Sequence, residues 1–432
     1  MKQGIVLIIL LLPMLPAVAV ESPASTPALP PPELVLDVIE QTPEVQAAAA
    51  ALARAEAESR LRQVGSHEAQ LTVVPQRRRI EGGRTFNEWE ADLSRPLRWP
   101  HKARLDREIG AAGTEAARLM LADAHHAGAR RLLGLWSDWQ RARAAAMQQH
   151  AQVDIWQRDR RAIARRVELG DAARRDLLAA DAALAQAQAA AMQADADAQI
   201  AELALRSTFP GLPLPERVRL GDTPPPLPGT DSHWWQLIVS RSHEIGAADA
   251  QARQREAEAR RARADRLPDP TVGVRVLNDL GGRERAVGLV LSIPIGVRQR
   301  GARAAAAGAD ALAAQAELSM VRRDIERAAR ESVARARAVH AIWSSRRQAL
   351  AAARASAAKA ERAYALGESG LAELLAARRI ELESVLSERR AAVDAIEAVA
   401  RVQVDAHELW HHHTGGSDPD EHERGRIGLP DL

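Results

Sequence analysis

Apolar and polar residues alternate along two short stretches in the second half of the chain. Val272, Val274 and Val276 are separated by polar or small residues, and the next stretch repeats the pattern with Val287, Leu289, Leu291 and Ile293. The segment between the two stretches, "NDLGGRE", contains a Gly-Gly pair. A period of two on both sides of a glycine turn predicts a β-hairpin, which we place at 270–295.

The first half of the chain predicts a second hairpin, over 69–98, from a less regular pattern. Trp89, Ala91 and Leu93 alternate with acidic and hydroxyl residues after the turn segment "IEGGRTF". Pro75 and the run Arg77–Arg79 weaken the prediction for the strand before the turn, because proline cannot donate a ladder hydrogen bond.

After each hairpin, the apolar spacing changes to three and four residues. The first such series is Leu105, Ile109, Ala112, Ala116 and Leu119, and the second is Leu382, Val385, Ala392, Ile396 and Val399. This spacing is typical of helices packed in a bundle or coiled coil. The stretches 102–169 and 301–366 contain no proline, so each predicts one helix about 100 Å long. Shorter helices are predicted at 172–206 and 371–410, and one helix precedes each hairpin, at 43–66 and 233–266.

The two halves of the chain share the short motifs at which their predicted elements begin and end. "VELGDAARRDLLAADA" (167–182) is echoed by "YALGESGLAELLAARR" (364–379), and "LSRPL" (93–97) by "LSIPI" (291–295), each pair about 200 residues apart. A constant offset over several matches indicates a duplicated half. We therefore divide the chain into a first repeat (35–208), a Pro-rich crossover (209–231) and a second repeat (232–413).

The two ends of the chain differ from the repeats. Residues 1–19 follow the order of a secretory signal peptide, with Lys2, an apolar run and a final "AVA". A Pro-rich segment, 20–34, follows, and the residues 414–432 predict a disordered tail.

Composition restricts the classes of function. The chain of 432 residues is 46% hydrophobic but only 3% aromatic, and much of the apolar share is alanine, which favours long helices over a thick core. Its 59 basic and 57 acidic residues are interleaved, which indicates solvated helix faces and argues against nucleic-acid binding. The absence of cysteine excludes disulfides, thiolate metal sites and a lipid anchor on cysteine. We find no catalytic or phosphate-binding motif, so we expect neither an enzyme nor a cofactor.

Four strands are too few to enclose a membrane barrel. Open strand edges are not tolerated in hydrocarbon, and single-chain barrels begin at eight strands. We therefore expect the chain to pool its strands with copies of itself, and three copies would supply twelve.

The order of elements resembles the outer-membrane efflux proteins, the TolC-like channels. The resemblance covers about residues 35–410 and depends on the repeated helix, hairpin, Leu-Ser-x-Pro, long helix and Leu-Gly element. The stretch "LSRPLRWPHKARLDREIGAA" is most similar to the CzcC-like partners of metal-exporting pumps. The chain departs from the family pattern in its charged first hairpin and in its few aromatic residues near the strands.

The resemblance implies a mainly α fold with a small β part. Duplicated β-α-α halves would form a periplasmic α-barrel from long helical hairpins and contribute four strands to a trimeric transmembrane β-barrel. It also implies a homotrimer in outer-membrane lipid that extends into the periplasm. The implied partners are a periplasmic adaptor (membrane fusion) protein and an inner-membrane pump of the resistance-nodulation-division type. The implied function is passive conduction from the pump complex to the exterior, with metal cations as candidate cargo.

The resemblance also implies roles at the two Leu-Gly tips. A channel gate would comprise Asp176, Tyr364 and Glu373, with a hydrogen bond between tyrosine and aspartate of neighbouring hairpins. The structural alternative for the two carboxylates is solvation of a helix start, where the helix dipole favours anions. The residues that match the adaptor-docking tip are Leu169, Gly170, Asp171, Leu366, Gly367 and Glu368.

The segment "HELWHHHTGG" offers weak metal candidates. His407 and His411 are spaced i, i+4, as a ligand pair on a helix would be. No carboxylate or cysteine framework is evident in the sequence around them, so no metal site is predicted there.

The alternative function is a periplasmic coiled-coil protein, adaptor-like or structural, without a membrane barrel. Such adaptors usually carry one helical hairpin inserted in β-rich domains, whereas this chain has two equal halves.

Overall fold

The structure is a computed structural model that describes residues 29–65, 67–215 and 223–411. The predicted signal peptide, most of the Pro-rich segment 20–34 and the tail 414–432 lie outside these residues. None of the helices described combines the length and the hydropathy needed to cross a lipid bilayer.

The two repeats have the same order of elements. The first contains α1 (Pro32–Glu40), α2 (Pro43–Val64), β1 (Gln70–Arg79), β2 (Thr85–Pro96), α3 (Pro100–Glu168) and α4 (Arg174–Thr208). The second contains α5 (Asp231–Arg241), α6 (His243–Ala264), β3 (Thr271–Asp279), β4 (Glu284–Ser292), α7 (Val297–Ala365) and α8 (Leu371–Asp405). The molecule is thus mainly helical with a small four-stranded antiparallel sheet.

The long helices match in length. α3 and α7 each contain 69 residues, and α4 and α8 each contain 35. At 1.5 Å per residue, each long helix spans about 100 Å from the sheet to its tip. Pro100 stands in the first turn of α3, where its missing N–H costs no helical hydrogen bond.

In the first repeat, α2 agrees with the helix predicted at 43–66, and α1 is an additional helix before it. In the second repeat, the single helix predicted at 233–266 is wrong, because the structure has two helices there, α5 and α6. In the first repeat the break falls at Thr42, whose hydroxyl donates a hydrogen bond to the carbonyl of Ile39. In the second it falls at Ser242, whose hydroxyl accepts a hydrogen bond from the backbone N–H of Ile245 and caps α6. Ser242 was not recognised from the sequence as a helix start, because it lies inside the stretch predicted as one helix.

The four strands form one sheet in chain order, β1-β2-β3-β4, with every pair antiparallel. Pairing of β2 with β3 joins the two repeats, with Leu93 opposite Val274. β1 runs through Pro75, although the sequence weakened that prediction. It is an edge strand within the sheet, which is where proline is tolerated.

The register places apolar residues of all four strands on one face. The members are Leu71, Val73 and Pro75 of β1, Trp89, Ala91 and Leu93 of β2, Val272, Val274 and Val276 of β3, and Val287, Leu289 and Leu291 of β4. We call these residues the apolar face. Most of their large side chains are exposed in the protomer, and Leu289 is 90% exposed.

The opposite face of the sheet carries charge. Arg275 contacts Glu90 at 2.8 Å and Asp92 at 3.3 Å, which links β3 to β2. Glu88 accepts a hydrogen bond from Gln76 at 2.9 Å, which links β2 to β1. The sheet is therefore apolar on one side and polar on the other.

The helices are held together by several small clusters along their length. The largest surrounds Trp136 and Trp139 of α3 and includes Val35, Leu205 and Phe209. Smaller clusters lie farther along α3, around Trp156 and near the tip around Ile163. This distribution fits a chain that is rich in alanine and poor in aromatic residues.

Candidate functional site

Both hairpin tips end their long helix with the same backbone geometry. At the first tip, the N–H of Gly170 bonds the carbonyl of Val167 and the N–H of Asp171 bonds that of Arg166, at 3.1 and 2.8 Å. At the second tip, Gly367 and Glu368 make the equivalent bonds, at 3.1 and 2.9 Å. The φ angles of +85° and +75° at the two glycines explain why glycine stands there.

The tip residues face solvent. Leu169 is 60% exposed and Leu366 is 67% exposed, and the acidic residues after the glycines, Asp171 and Glu368, are exposed too. An exposed leucine beside a carboxylate at each tip is a small amphipathic surface.

Asp176 and Glu373 occupy equivalent positions in the two repeats. Each is the third residue of its helix, α4 or α8, and lies in the first turn, where the helix dipole favours a negative charge. The Asp176 carboxylate lies 3.6 Å from Nε of Arg175 and is half-buried, whereas Glu373 is exposed.

Tyr364 joins the two hairpins within the protomer. Its ring packs against a cluster that contains Ile163, Leu371 and Leu374. The guanidinium of Arg166 lies over the ring, 4.9 Å from its centroid. The contact shown for Tyr364 is therefore with the arginine of the first hairpin.

The structure brings His407 and His411 together, but not on a helix. α8 ends at Asp405, and His407 has a φ of +60° in the segment that follows. The i, i+4 helical pair inferred from the sequence is therefore wrong. The rings instead stack with centroids 4.5 Å apart, and a third imidazole, that of His243 at the start of α6, stacks on His407 at 4.5 Å.

A carboxylate framework also surrounds these histidines, contrary to the sequence-based expectation. Nδ1 of His126, on α3, is hydrogen-bonded to Nε2 of His407 at 3.0 Å. The other ring nitrogen of His126, Nε2, lies 3.4 Å from Oδ1 of Asp405. Arg130 donates to the same carboxylate oxygen at 2.7 Å. Asp123 of α3 and Glu244 of α6 also lie near His126, so the carboxylates come from three helices, which no local motif reveals.

The environment fixes the charge state of this cluster. Burial, with the neighbouring His243, lowers the pKa of His407 to about 2, so its imidazole is neutral. Burial also lowers the pKa of His243. Burial alone would raise the pKa of Asp405, but the hydrogen bond from His126 and the charge of Arg130 outweigh it, so that pKa is lowered and the carboxylate is ionised.

A polar junction between the helices and the sheet was also missed by the sequence analysis. Lys102 of α3 is only 1% exposed, and its Nζ bonds the carbonyl of Leu267 at 2.7 Å and lies 3.0 Å from both Asp265 and Asp269. Asp106 lies between Arg98 and Arg261, at 3.0 and 2.9 Å. The sequence signal for this junction was the pair Lys102 and Asp106, two charged residues at positions of α3 that face the neighbouring helices.

Three crystal structures of other proteins superpose on nearly the whole chain. The first is CusC, whose crystal structures concern the conformational changes that accompany folding and transmembrane channel formation. It is 15% identical to this chain, with a TM-score of 0.71, and the match covers 87% of this chain and 91% of CusC. The Neisseria gonorrhoeae MtrE outer-membrane channel in its open state is 17% identical, with a TM-score of 0.71 over 87% and 88%. The chain has the TolC-like channel fold. The Vibrio cholerae outer-membrane protein VceC is 16% identical, with a TM-score of 0.71 over 87% of this chain and 95% of its own.

Of the comparisons with known proteins, only the comparison of structures finds a match. No known protein-family profile matches the sequence, and no curated protein does. At identities of 15–17%, the similarity establishes the path of the chain, while individual residue roles are argued from the contacts above.

Proposed function

We propose that this protein is the outer-membrane channel of a tripartite efflux system, a passive homotrimeric conduit from a pump complex to the exterior. The observation that carries the proposal is the apolar face. Twelve apolar residues lie on one side of a sheet whose other side is charged, and Leu289 of the edge strand β4 is 90% exposed. Outer-membrane barrels present such an apolar face to lipid and a polar face to their lumen.

The edges of the sheet supply the argument for a trimer. β1 and β4 each have one neighbour in the described part of the chain. In hydrocarbon their free backbone groups need partners, and another copy of the sheet is the partner with matching length. Three copies give twelve strands, enough to close a barrel in outer-membrane lipid.

The tips are the proposed docking and gating surface. The long helices carry them about 100 Å from the sheet, deep in the periplasm. We assign adaptor docking to the exposed leucines and the following turn residues, at positions 169–171 and 366–368. The adaptor would in turn connect the channel to a pump of the resistance-nodulation-division type.

The gate is assigned to Asp176, Tyr364 and Glu373 of neighbouring hairpins in the trimer. Within the protomer the Tyr364 ring is held by Arg166, so its position is fixed and its hydroxyl can meet a carboxylate of another copy. Acidic groups at a constriction would also repel anions.

Metal cations are the proposed cargo, on the resemblance to the CzcC-like branch. CusC, MtrE and VceC share one TM-score of 0.71, so the fold itself favours no cargo. The function requires no enzyme activity and no cofactor of catalysis, and no nucleic acid is among the partners.

A conductance measurement on the purified protein tests the proposal. The mature chain, extracted from outer membranes in detergent, should elute as a trimer and produce discrete single-channel steps in a planar lipid bilayer. A freely soluble monomer that produces no steps would refute the channel and would favour the coiled-coil alternative.

A further inference from the structure

Three imidazoles converge at the junction of α3, α6 and α8. His243 is the first residue of α6, and His407 and His411 follow the end of α8. One ring nitrogen from each lies within 4.8 Å of one from each of the others. His407 is buried, and the other two are half-buried, so the cluster is sheltered yet open to small solutes.

Hydrogen bonding within the described part of the protein leaves ring nitrogens of His243 and His407 unused. Among the residues that the structure describes, His243 makes no hydrogen bond through its half-buried ring. His407 uses only Nε2, toward His126. Polar atoms that are removed from water usually find partners, so the unused nitrogens of His243 and His407 are available to another ligand.

The contacts of His126 orient His407. Oδ1 of Asp405 accepts a hydrogen bond from Arg130, so Nε2–H of His126 is the donor to the same oxygen. Nδ1 of His126 then accepts from Nε2–H of His407. This leaves the lone pair on Nδ1 of His407 for a ligand. A carboxylate that orients a histidine through a hydrogen bond is the usual support of a metal-binding imidazole.

The surrounding charges nearly balance. Three carboxylates lie around His126: Asp123, Glu244 and Asp405. Three guanidinium groups offset them, since Arg130 and Arg401 bond Asp405 and Arg241 lies near His407. The three ligand atoms on offer are all imidazole nitrogens. Neutral imidazoles favour late first-row metals over Mg²⁺ or Ca²⁺, which prefer oxygen ligands.

We propose that His243, His407 and His411 bind one divalent ion of the Zn²⁺, Cu²⁺ and Ni²⁺ class and so tie the start of α6 to the segment after α8. In tetrahedral geometry with bonds of about 2.1 Å, the nitrogens stand about 3.4 Å apart, so binding requires them to close in from the present limit of 4.8 Å. The stacked rings of His407 and His411 lie beyond the last residue of α8 and would rotate about their side-chain bonds to bring their nitrogens together. The proposal concerns a resident ion and is independent of the cargo and of conduction.

Equilibrium binding of Zn²⁺ tests the site. The full mature chain, free of affinity tags and treated with a chelator, is titrated with Zn²⁺ by calorimetry in detergent. We expect one ion per protomer, and His243→Gln and His411→Ala should each weaken Zn²⁺ binding at least about tenfold. Co²⁺ in place of Zn²⁺ should give the visible absorption of a tetrahedral nitrogen site.

Two controls separate this site from other histidines. His150→Ala removes an exposed histidine that pairs with Asp195 at 2.9 Å. The tail variant, His412→Ala with His413→Ala, removes the two histidines that follow His411 in the sequence. Both should bind Zn²⁺ like the unmodified protein. If the tail variant abolishes binding while His243→Gln retains it, or if no Zn²⁺ binds, the proposal is overturned. Circular dichroism verifies folding, and if His243→Gln fails to fold, His411→Ala decides.

Discussion

Tyr364 is placed at the last turn of α7 by contacts from both hairpins. Its ring lies among Ile163, Leu371 and Leu374, and the Arg166 guanidinium covers one side of it. A cation over an aromatic ring contributes about 0.5–1 kcal/mol at exposed sites, so the ring is held in place without its hydroxyl. The hydroxyl is thus available for a neighbouring protomer in the proposed trimer.

Removing the hydroxyl and its proposed partner should open the gate. Tyr364→Phe keeps the ring and its contact with Arg166, and Asp176→Ala removes the carboxylate. We expect the double variant to show a higher single-channel conductance in planar bilayers, because the latch across the constriction is lost.

Asp195→Ala is the matched control for that experiment. Asp195 is a carboxylate of the same helix, α4, but it lies far from the tip and pairs with His150. Its variant should conduct like the unmodified channel. Equal conductance in all three proteins would contradict the latch.

At the same scale, the sequence predicted turn residues well and through-space clusters poorly. Gly170 and Gly367 are recognisable because a left-handed residue at a helix end requires glycine. His243 and His407 are more than 160 positions apart, and only the packing of α6 beside the end of α8 brings them together. Spacing along one segment carries no information about such a contact.

At the scale of elements, the junction of helix and sheet is held by polar contacts in place of an apolar core. Arg98 donates to the carbonyls of Arg62 and Gln63, both at 2.7 Å, and so anchors the end of α2. Lys102 reaches from α3 to the loop after α6. Because these contacts link both repeats, they set the direction in which the strands leave the helices.

Lys102→Met should destabilise this junction. The variant leaves the carbonyl of Leu267 without its donor and two carboxylates with one fewer cation, which we expect to lower the free energy of unfolding by about 2–3 kcal/mol. Denaturant titration in detergent, followed by tryptophan fluorescence, measures the change.

Arg104→Met provides the comparison. Arg104 is an exposed residue of α3 that lies 3.6 Å from Glu108 in an i, i+4 pair. Such pairs contribute little, so the variant should change stability by less than about 0.5 kcal/mol. An effect of Lys102→Met as small as this would contradict the structural role of the junction.

Element type was predictable from periodicity, and element boundaries were not. The hairpins follow from apolar residues that recur at every second position, and the long helices follow from apolar residues spaced by three and four. The break at Ser242 was missed because the only local signal for it is one serine hydroxyl, which caps α6, inside a stretch whose other residues continue a helical pattern.

At the scale of the whole molecule, the two faces of the sheet determine its environment. The apolar face lies exposed on one side, and the ion pairs of Arg275 lie on the other. Adjacent residues of one strand alternate between these faces, so they test the proposed orientation at nearly the same depth.

Leu289→Lys should impair membrane stability, whereas Val290→Lys should not. Leu289 belongs to the apolar face, and a lysine facing lipid costs about 2–4 kcal/mol near the bilayer midplane. Val290 points to the polar side, where a lysine faces the proposed lumen. Urea titration of the protein in lipid vesicles compares the two.

The opposite ranking of these variants would show that the charged side meets lipid. Equal, small effects would show that the sheet does not enter a membrane. Either result would remove the basis of the proposed channel.

The equal lengths of the corresponding helices constrain how this chain can vary. α3 and α7 start beside the same sheet and have the same number of residues, so their tips stand level. Deleting seven residues from one of them alone would retract its tip by about 10 Å relative to the other. An insertion or deletion in one arm is therefore tolerable only when a compensating change of the same size occurs in its duplicate.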